Sequence, residues 1–153
     1  MSLRKIRYLI NTFLVLNNAW YKDFFQNCLK FWKRFDFDLD VVNLGSNSAF
    51  YGFDYKELPI KGANWAMQPQ SFPQDLAILK NYFSYLGHRA IILIALCPYS
   101  SCYKSYTDSE LIKYYTVLHP GVIENFNQNE QERAYCLKEH PWKYADRKST
   151  RLN

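Results

Sequence analysis

Ala90-Ile91-Ile92-Leu93-Ile94-Ala95-Leu96-Cys97 sets eight apolar residues in a row without alternation. A strand with one wet face alternates, so an unbroken run of this length predicts a strand buried on both faces, as at the centre of a parallel sheet covered by helices. The residues before it predict a helix from about Phe72 to Leu86. Ser71 and Gln74 have capping-box spacing, Pro73 falls in the first turn, and Asp75 suits the positive end of the helix dipole. Leu76, Leu79, Phe83 and Leu86 are expected to form its inward stripe, and Gly87 to end it.

Upstream, Asp40–Leu44 reads as a short strand running into the turn Gly45-Ser46-Asn47-Ser48. Residues 49–55 read as a short aromatic helix or turn, and 60–67 as a second short strand with its own loop. Downstream, Thr107 and Glu110 have capping-box spacing again and open a helix through Leu111, Tyr114, Tyr115 and Leu118, closed by His119-Pro120. One more short helix is expected around Glu130–Leu137. Strand, loop, helix and buried strand in succession point to an α/β protein, a parallel sheet with helices on both sides.

Residues 1–35 form a separate arm. Apolar residues fall at Ile6, Leu9, Ile10, Phe13, Leu16, Trp20, Phe24, Phe31 and Trp32, the spacing of an amphipathic helix, with a break near Asn17-Asn18. Such a helix either packs on the domain behind it or lies on a membrane surface, where a Trp/Phe face beside Lys and Arg is also at home. Tyr8–Leu16 resembles the start of a secretory signal, but Asn11 and Thr12 interrupt it and bulky aromatics follow where a small-residue cleavage site belongs. It is also too short to span a bilayer.

The chain of 153 residues carries a formal charge of +5, which invites a nucleic-acid reading that the distribution does not support. Residues 1–34 hold Arg4, Lys5, Arg7, Lys22, Lys30, Lys33 and Arg34 against Asp23, a surplus of six. Met1–Ala145 as a whole is +3, so residues 35–145 are net −3. A basic arm on a mildly acidic body suits an anionic membrane surface or an acidic partner better than a nucleic-acid groove. Cys28, Cys97, Cys102 and Cys136 lack disulfide-scaffold or zinc-finger spacing and read as reduced thiols of a cytoplasmic chain, peripheral to the inner membrane if the arm docks there. No metal site and no cofactor are expected.

In an open α/β sheet, ligands bind beyond the carboxyl ends of the strands. The loops expected there hold Gly45, Ser46, Asn47, Ser48, Gly62, Asn64, Ser100 and Ser101. Hydroxyls, amides and glycine N–H groups at converging loops can hold an oxyanion or a row of sugar hydroxyls. Equally, Gly45–Ser48 is a good capped turn on its own account. His88, His119 and His140 read as surface residues, with His119 a partner for a helix carboxyl end.

Glycine at the end of the first strand, Gly62-Ala63-Asn64 after the second and a third strand leading to a polar loop resemble the SGNH/GDSL hydrolase superfamily. Asn43-Leu44-Gly45-Ser46-Asn47, Phe53-Asp54-Tyr55, Asn64-Trp65-Ala66, Pro69-Gln70 and Ile78-Leu79-Lys80 are similar to uncharacterised SGNH-like proteins of bacterial surface-polysaccharide gene clusters. The resemblance covers roughly Asp40–His119 and implies a flavodoxin-like, three-layer parallel sheet. It also implies a parent that transfers or removes an acyl group on a sugar: Ser46 or Ser48 as nucleophile, Gly45, Asn47, Gly62, Asn64 and Ser100 as oxyanion or ligand contacts, and an acyl-sugar as ligand. Asn47 stands where the superfamily places its serine, and an amide is no acyl acceptor. The other reading is a non-catalytic glycan-binding or scaffolding protein.

Asp146-Arg147-Lys148-Ser149-Thr150-Arg151-Leu152-Asn153 resembles the translation of a sequencing-adapter oligonucleotide. The expected organisation is an arm over 1–35, the first part of an α/β domain over 36–145 and a non-native tail over 146–153. On that reading the superfamily's base histidine lies beyond residue 145, and the chain itself is inactive.

Overall fold

The structure, a computed structural model, describes residues 3–18, 22, 25–33, 35–96 and 111–140. Ser100, Ser101, Cys97, Cys102, the Thr107–Glu110 capping box, Trp20, Phe24 and the tail 146–153 lie outside the described residues. In chain order the elements are α1 (Leu3–Leu16), α2 (Leu29–Trp32), β1 (Leu39–Gly45), α3 (Asn47–Gly52), β2 (Gly62–Asn64), α4 (Phe72–Tyr82), β3 (Leu86–Ala95) and α5 (Gln128–Glu139). Single 3-10 turns form at Phe83–Tyr85, Tyr114–Thr116 and Pro120–Val122. The chain is an α/β protein, and among the described residues its sheet is three-stranded and all-parallel in the order β2-β1-β3.

The central strand is β1. Leu39, Val41, Val42, Asn43, Leu44 and Gly45 are all buried. Its neighbours pair Val42 with Ala63 on one side and with Ile92 on the other. The long apolar run was expected to hold that place; instead β3 is an edge among the described residues, and Ile91 is 59% exposed. An apolar run records what a strand can tolerate, whereas burial of both faces needs a layer packed on each, and a central place needs a strand at each edge. β1 tolerates Asn43 at its centre because the amide is bonded internally, to Asn64 Oδ1 at 3.0 Å and the Ala49 carbonyl at 3.2 Å.

Gly87 also changes role. It belongs to β3, in a stretch where β3 carries extra residues relative to β1: Leu39 pairs with Leu86 but Val41 with Ile91. A Cβ there would stand 3.2 Å from the Leu39 carbonyl oxygen. The helix before it ends at Tyr82 and tightens into the Phe83–Tyr85 turn.

The amino end of α4 is as the spacing predicts, with the Gln74 side chain accepting the Ser71 N–H at 3.1 Å. Its inward stripe is not. Asp75, Ile78 and Tyr82 face the core, while Leu76 and Phe83 face outward. Tyr82 can go inside because its hydroxyl donates to the Val117 carbonyl. Leu79 does pack on the core.

Aromatic rings fill the space between α2, α4 and the end of β2. Phe35 lies 5.5 Å edge-on to both Phe31 and Tyr82 and 6.0 Å from Trp65. Phe25, Cys28 and Phe31, which the sequence groups with the arm, are thus core residues, joined from the other end by Ile112, Tyr114, Val117, Leu118 and Leu137. The break after Leu16 is as expected, with the Asn17 amide closing on the Phe13 carbonyl at 2.8 Å.

Gly62 opens β2 beneath the Tyr55 side chain. A Cβ at this position would lie 2.6 Å from the Tyr55 Cβ and closer still to its ring, so Tyr55 must move. Gly62→Ala is expected to cost about 1–3 kcal/mol in urea unfolding. In a Tyr55→Gly background, which removes the Cβ as well as the ring, most of that cost should vanish; an unchanged cost would place the strain elsewhere.

Candidate functional site

The turn after β1 is built by close approach. Gly45 has φ +129°, and a Cβ on it would stand 2.9 Å from Ala49 Cβ and 3.0 Å from the Ala95 carbonyl oxygen. Only glycine meets both demands, so β1, β3 and α3 converge at this point. Ser46 follows, and its carbonyl accepts the Phe50 N–H at 2.9 Å, the first bond of α3. The Ser46 side chain is half-buried; Asn47 and Ser48 are exposed on the first turn of α3.

The Ser46 hydroxyl accepts the Gln70 backbone N–H at 3.3 Å and donates toward Asn47 Oδ1 at 3.4 Å. Neither partner is a base. Behind it lies a buried polar pair that the sequence reading does not place here. Gln70 and Asp75 are 2% and 3% exposed, and the Gln70 amide donates to the Asp75 carboxylate. Asp75 also accepts the Gly45 N–H. Burial raises its pKa to about 6, although the hydrogen bonds from Gln70 and Gly45 pull the other way. Asp75 therefore holds the turn from within as well as standing near the helix dipole. Its sequence signals, a place in the first turn of the helix and a position just before the apolar stripe, do not point to the Gly45 turn.

The expected oxyanion contacts are arranged differently. The Gly45 N–H is committed to Asp75. Gly62 pairs with Val41, four residues before Gly45, which at about 3.3 Å per residue puts it about 13 Å from the turn. The loop that leaves the carboxyl end of β2 is instead 65–70. Asn64 spends its N–H groups on the carbonyls of Ala49, Phe50 and Phe53 at 3.0–3.2 Å. Its oxygen accepts from Asn43 and from the Ala66 N–H, both at 3.0 Å. Asn64 is a clamp between β2 and the end of α3, with no donor left for an oxyanion. Ser46, Asn47 and Ser48 do share one end of β1; Ser100 lies outside the described residues.

The 65–70 loop turns its carbonyls inward onto amines. Lys30 donates to the Ala66 carbonyl, Lys113 to those of Gln68 and Pro69, the Asn27 amide to Gln68 at 3.3 Å and the Tyr114 hydroxyl to Pro69 at 2.9 Å. Lys113 is only 1% exposed. Lys30, counted above among the charges of a solvated arm, is drawn in against the Phe50 ring, 4.9 Å from its centroid, and burial lowers its pKa to about 7. Burial likewise pushes the Cys28 thiol up to about 11, so this thiol is a packing group rather than a nucleophile.

His119 does not serve a helix carboxyl end. Its Nδ1 accepts the Gly121 N–H at 3.2 Å and opens the Pro120–Val122 turn, while its own N–H donates to Asn81 Oδ1 at 2.8 Å. Among the described residues no group of three His, Cys, Asp or Glu side chains could hold a metal ion. No protein-family model, no curated protein and no solved structure matches the chain.

The Asp75 shift fixes a pH dependence. A carboxyl whose pKa rises from 3.8 to about 6 on folding binds more protons folded than unfolded between those values. Stability from this group is therefore fully present below the lower value and lost as pH rises toward the upper one. Asp75→Asn should remove that loss, leaving the variant roughly 2 kcal/mol better off, relative to wild type, near pH 7 than near pH 4. Urea midpoints of both proteins at the two pH values measure it; parallel pH profiles would show that Asp75 titrates normally.

Proposed function

We propose that this sheet is that of an SGNH-like, flavodoxin-like protein acting in bacterial surface-polysaccharide biosynthesis, and that Ser46 is the hydroxyl that meets the acyl carbon of an acylated sugar. The support is its placement, half-exposed at the carboxyl end of the central parallel strand, on a turn that only glycine can make. Ser46 is the better choice than Ser48, because two hydrogen bonds orient its hydroxyl. Attack requires a base to take the hydroxyl proton, and the partners of Ser46 are an amide N–H and an amide oxygen. In this reading the proton goes to a group other than the two described partners of Ser46.

The test is acetate release from an acetylated oligosaccharide by the full product of the source gene, with and without Ser46→Ala. The protein should release acetate and lose about a thousand-fold in rate with Ser46→Ala. Unchanged turnover in the Ser46→Ala variant would overturn the proposal.

A second reading, a glycan-binding protein without catalysis, has one observation of its own. Tyr51 lies one turn on from Asn47 on α3 and is 77% exposed, its hydroxyl 3.4 Å from the Gln68 amide oxygen. An exposed ring beside amides and hydroxyls suits a sugar face. A polysaccharide bound by that protein without acetate release, and lost with Tyr51→Ala, would decide for it.

A further inference from the structure

α1 turns an apolar surface to solvent. At about 100° per residue, Leu3, Ile6, Leu9, Ile10, Phe13 and Leu14 fall within an arc of about 140°. All six are exposed, from 36% at Ile6 to 85% at Leu3. Lys5 and Arg7 stand just outside the two margins of that arc, and the helix contains no acidic residue. The expectation that this part of the arm packs on the domain is therefore not met, whereas Phe25, Cys28 and Phe31 beyond it do pack.

An apolar arc of this size needs a cover. The charges at its margins select the cover. Two copies joined through the arc would bring no acidic residue to meet Lys5 and Arg7. An anionic bilayer meets both demands at once: the apolar side chains enter the acyl boundary, and the Lys5 and Arg7 stems lie along them with their charges at the phosphates. Fourteen residues make a rod of about 21 Å, suited to lying in the surface plane. No helix among the described residues is long and apolar enough to cross a membrane. Residues 35–145, net −3, would be repelled by the same surface and held off it.

We propose that α1 is an interfacial anchor that lies in the surface of a bilayer rich in anionic lipid. The test is flotation of the full chain with vesicles of phosphatidylcholine alone and with vesicles in which about a third of the lipid is phosphatidylglycerol. The chain should float with the anionic vesicles and bind the neutral ones about ten-fold less or weaker. Phe13→Glu should abolish flotation with the near-ultraviolet circular dichroism unchanged. The double variant Lys5→Glu, Arg7→Glu, which leaves the apolar arc intact, should lose the preference for anionic lipid. Absence of flotation would overturn the proposal, as would flotation insensitive to Phe13→Glu. So would a dimer that Phe13→Glu dissociates and that ignores vesicles, because the arc would then be a contact between copies of the chain.

Discussion

The carbonyls of Ala66, Gln68 and Pro69 point into the protein, and the amines of Lys30 and Lys113 meet them there. An inward-facing loop of this kind leaves acceptors without water, and a buried ammonium without partners costs several kcal/mol, so each side needs the other. Lys30 comes from the segment before the sheet and Lys113 from the segment after it. The loop therefore fastens the segment just before the sheet and a segment after it to the carboxyl end of β2. Around it the Trp32 ring donates to Thr116 Oγ1 at 3.3 Å, and the Thr116 hydroxyl to the Lys113 carbonyl at 2.7 Å, so the fastening continues as a chain of side-chain bonds.

The same loop carries the site. Gln70, its last residue, gives its backbone N–H to Ser46 and its side chain to Asp75, and Asp75 takes the Gly45 N–H. The exposed turn is thus the outer end of a polar network whose inner members see almost no water. Three elements meet there: the end of β1, the loop after β2 and the first turns of α4. Whatever Ser46 binds, one of the two groups that orient its hydroxyl lies more than twenty positions away in sequence.

Much of the framework is legible in the sequence because it is local. The glycine after Leu44, the Ser71–Gln74 cap and the short helix near Glu130–Leu137 each follow from a few neighbouring residues. What is not legible depends on partners. β3 is richer in apolar residues than β1, yet β1 is central, and it can hold Asn43 there because that side chain donates to Asn64 Oδ1 and to the Ala49 carbonyl. Asp75 and Tyr82 read as polar and lie inside, because their polar atoms meet Gln70 and Val117. Lys30 reads as one of several arm charges, and only the path of the chain between Phe25 and Phe31 shows it turned inward. The sequence places Ser46 correctly at a strand end, but takes Asn64 and Gly62 for its companions when Asn64 clamps β2 to the end of α3 and Gly62 lies beneath Tyr55 at the start of β2.

The Asn64 clamp bears on how the site forms. α3 has six residues, far fewer than a helix needs to persist alone in water. The carbonyls of Ala49 and Phe50 within it, and of Phe53 just past it, are all gathered by one amide, which reaches them only when β2 lies beside β1 in its final register. Strand pairing and the presentation of Ser46 are then a single cooperative event. A partly folded chain with β2 undocked would not display this turn at all, so the site itself reports that the sheet has assembled.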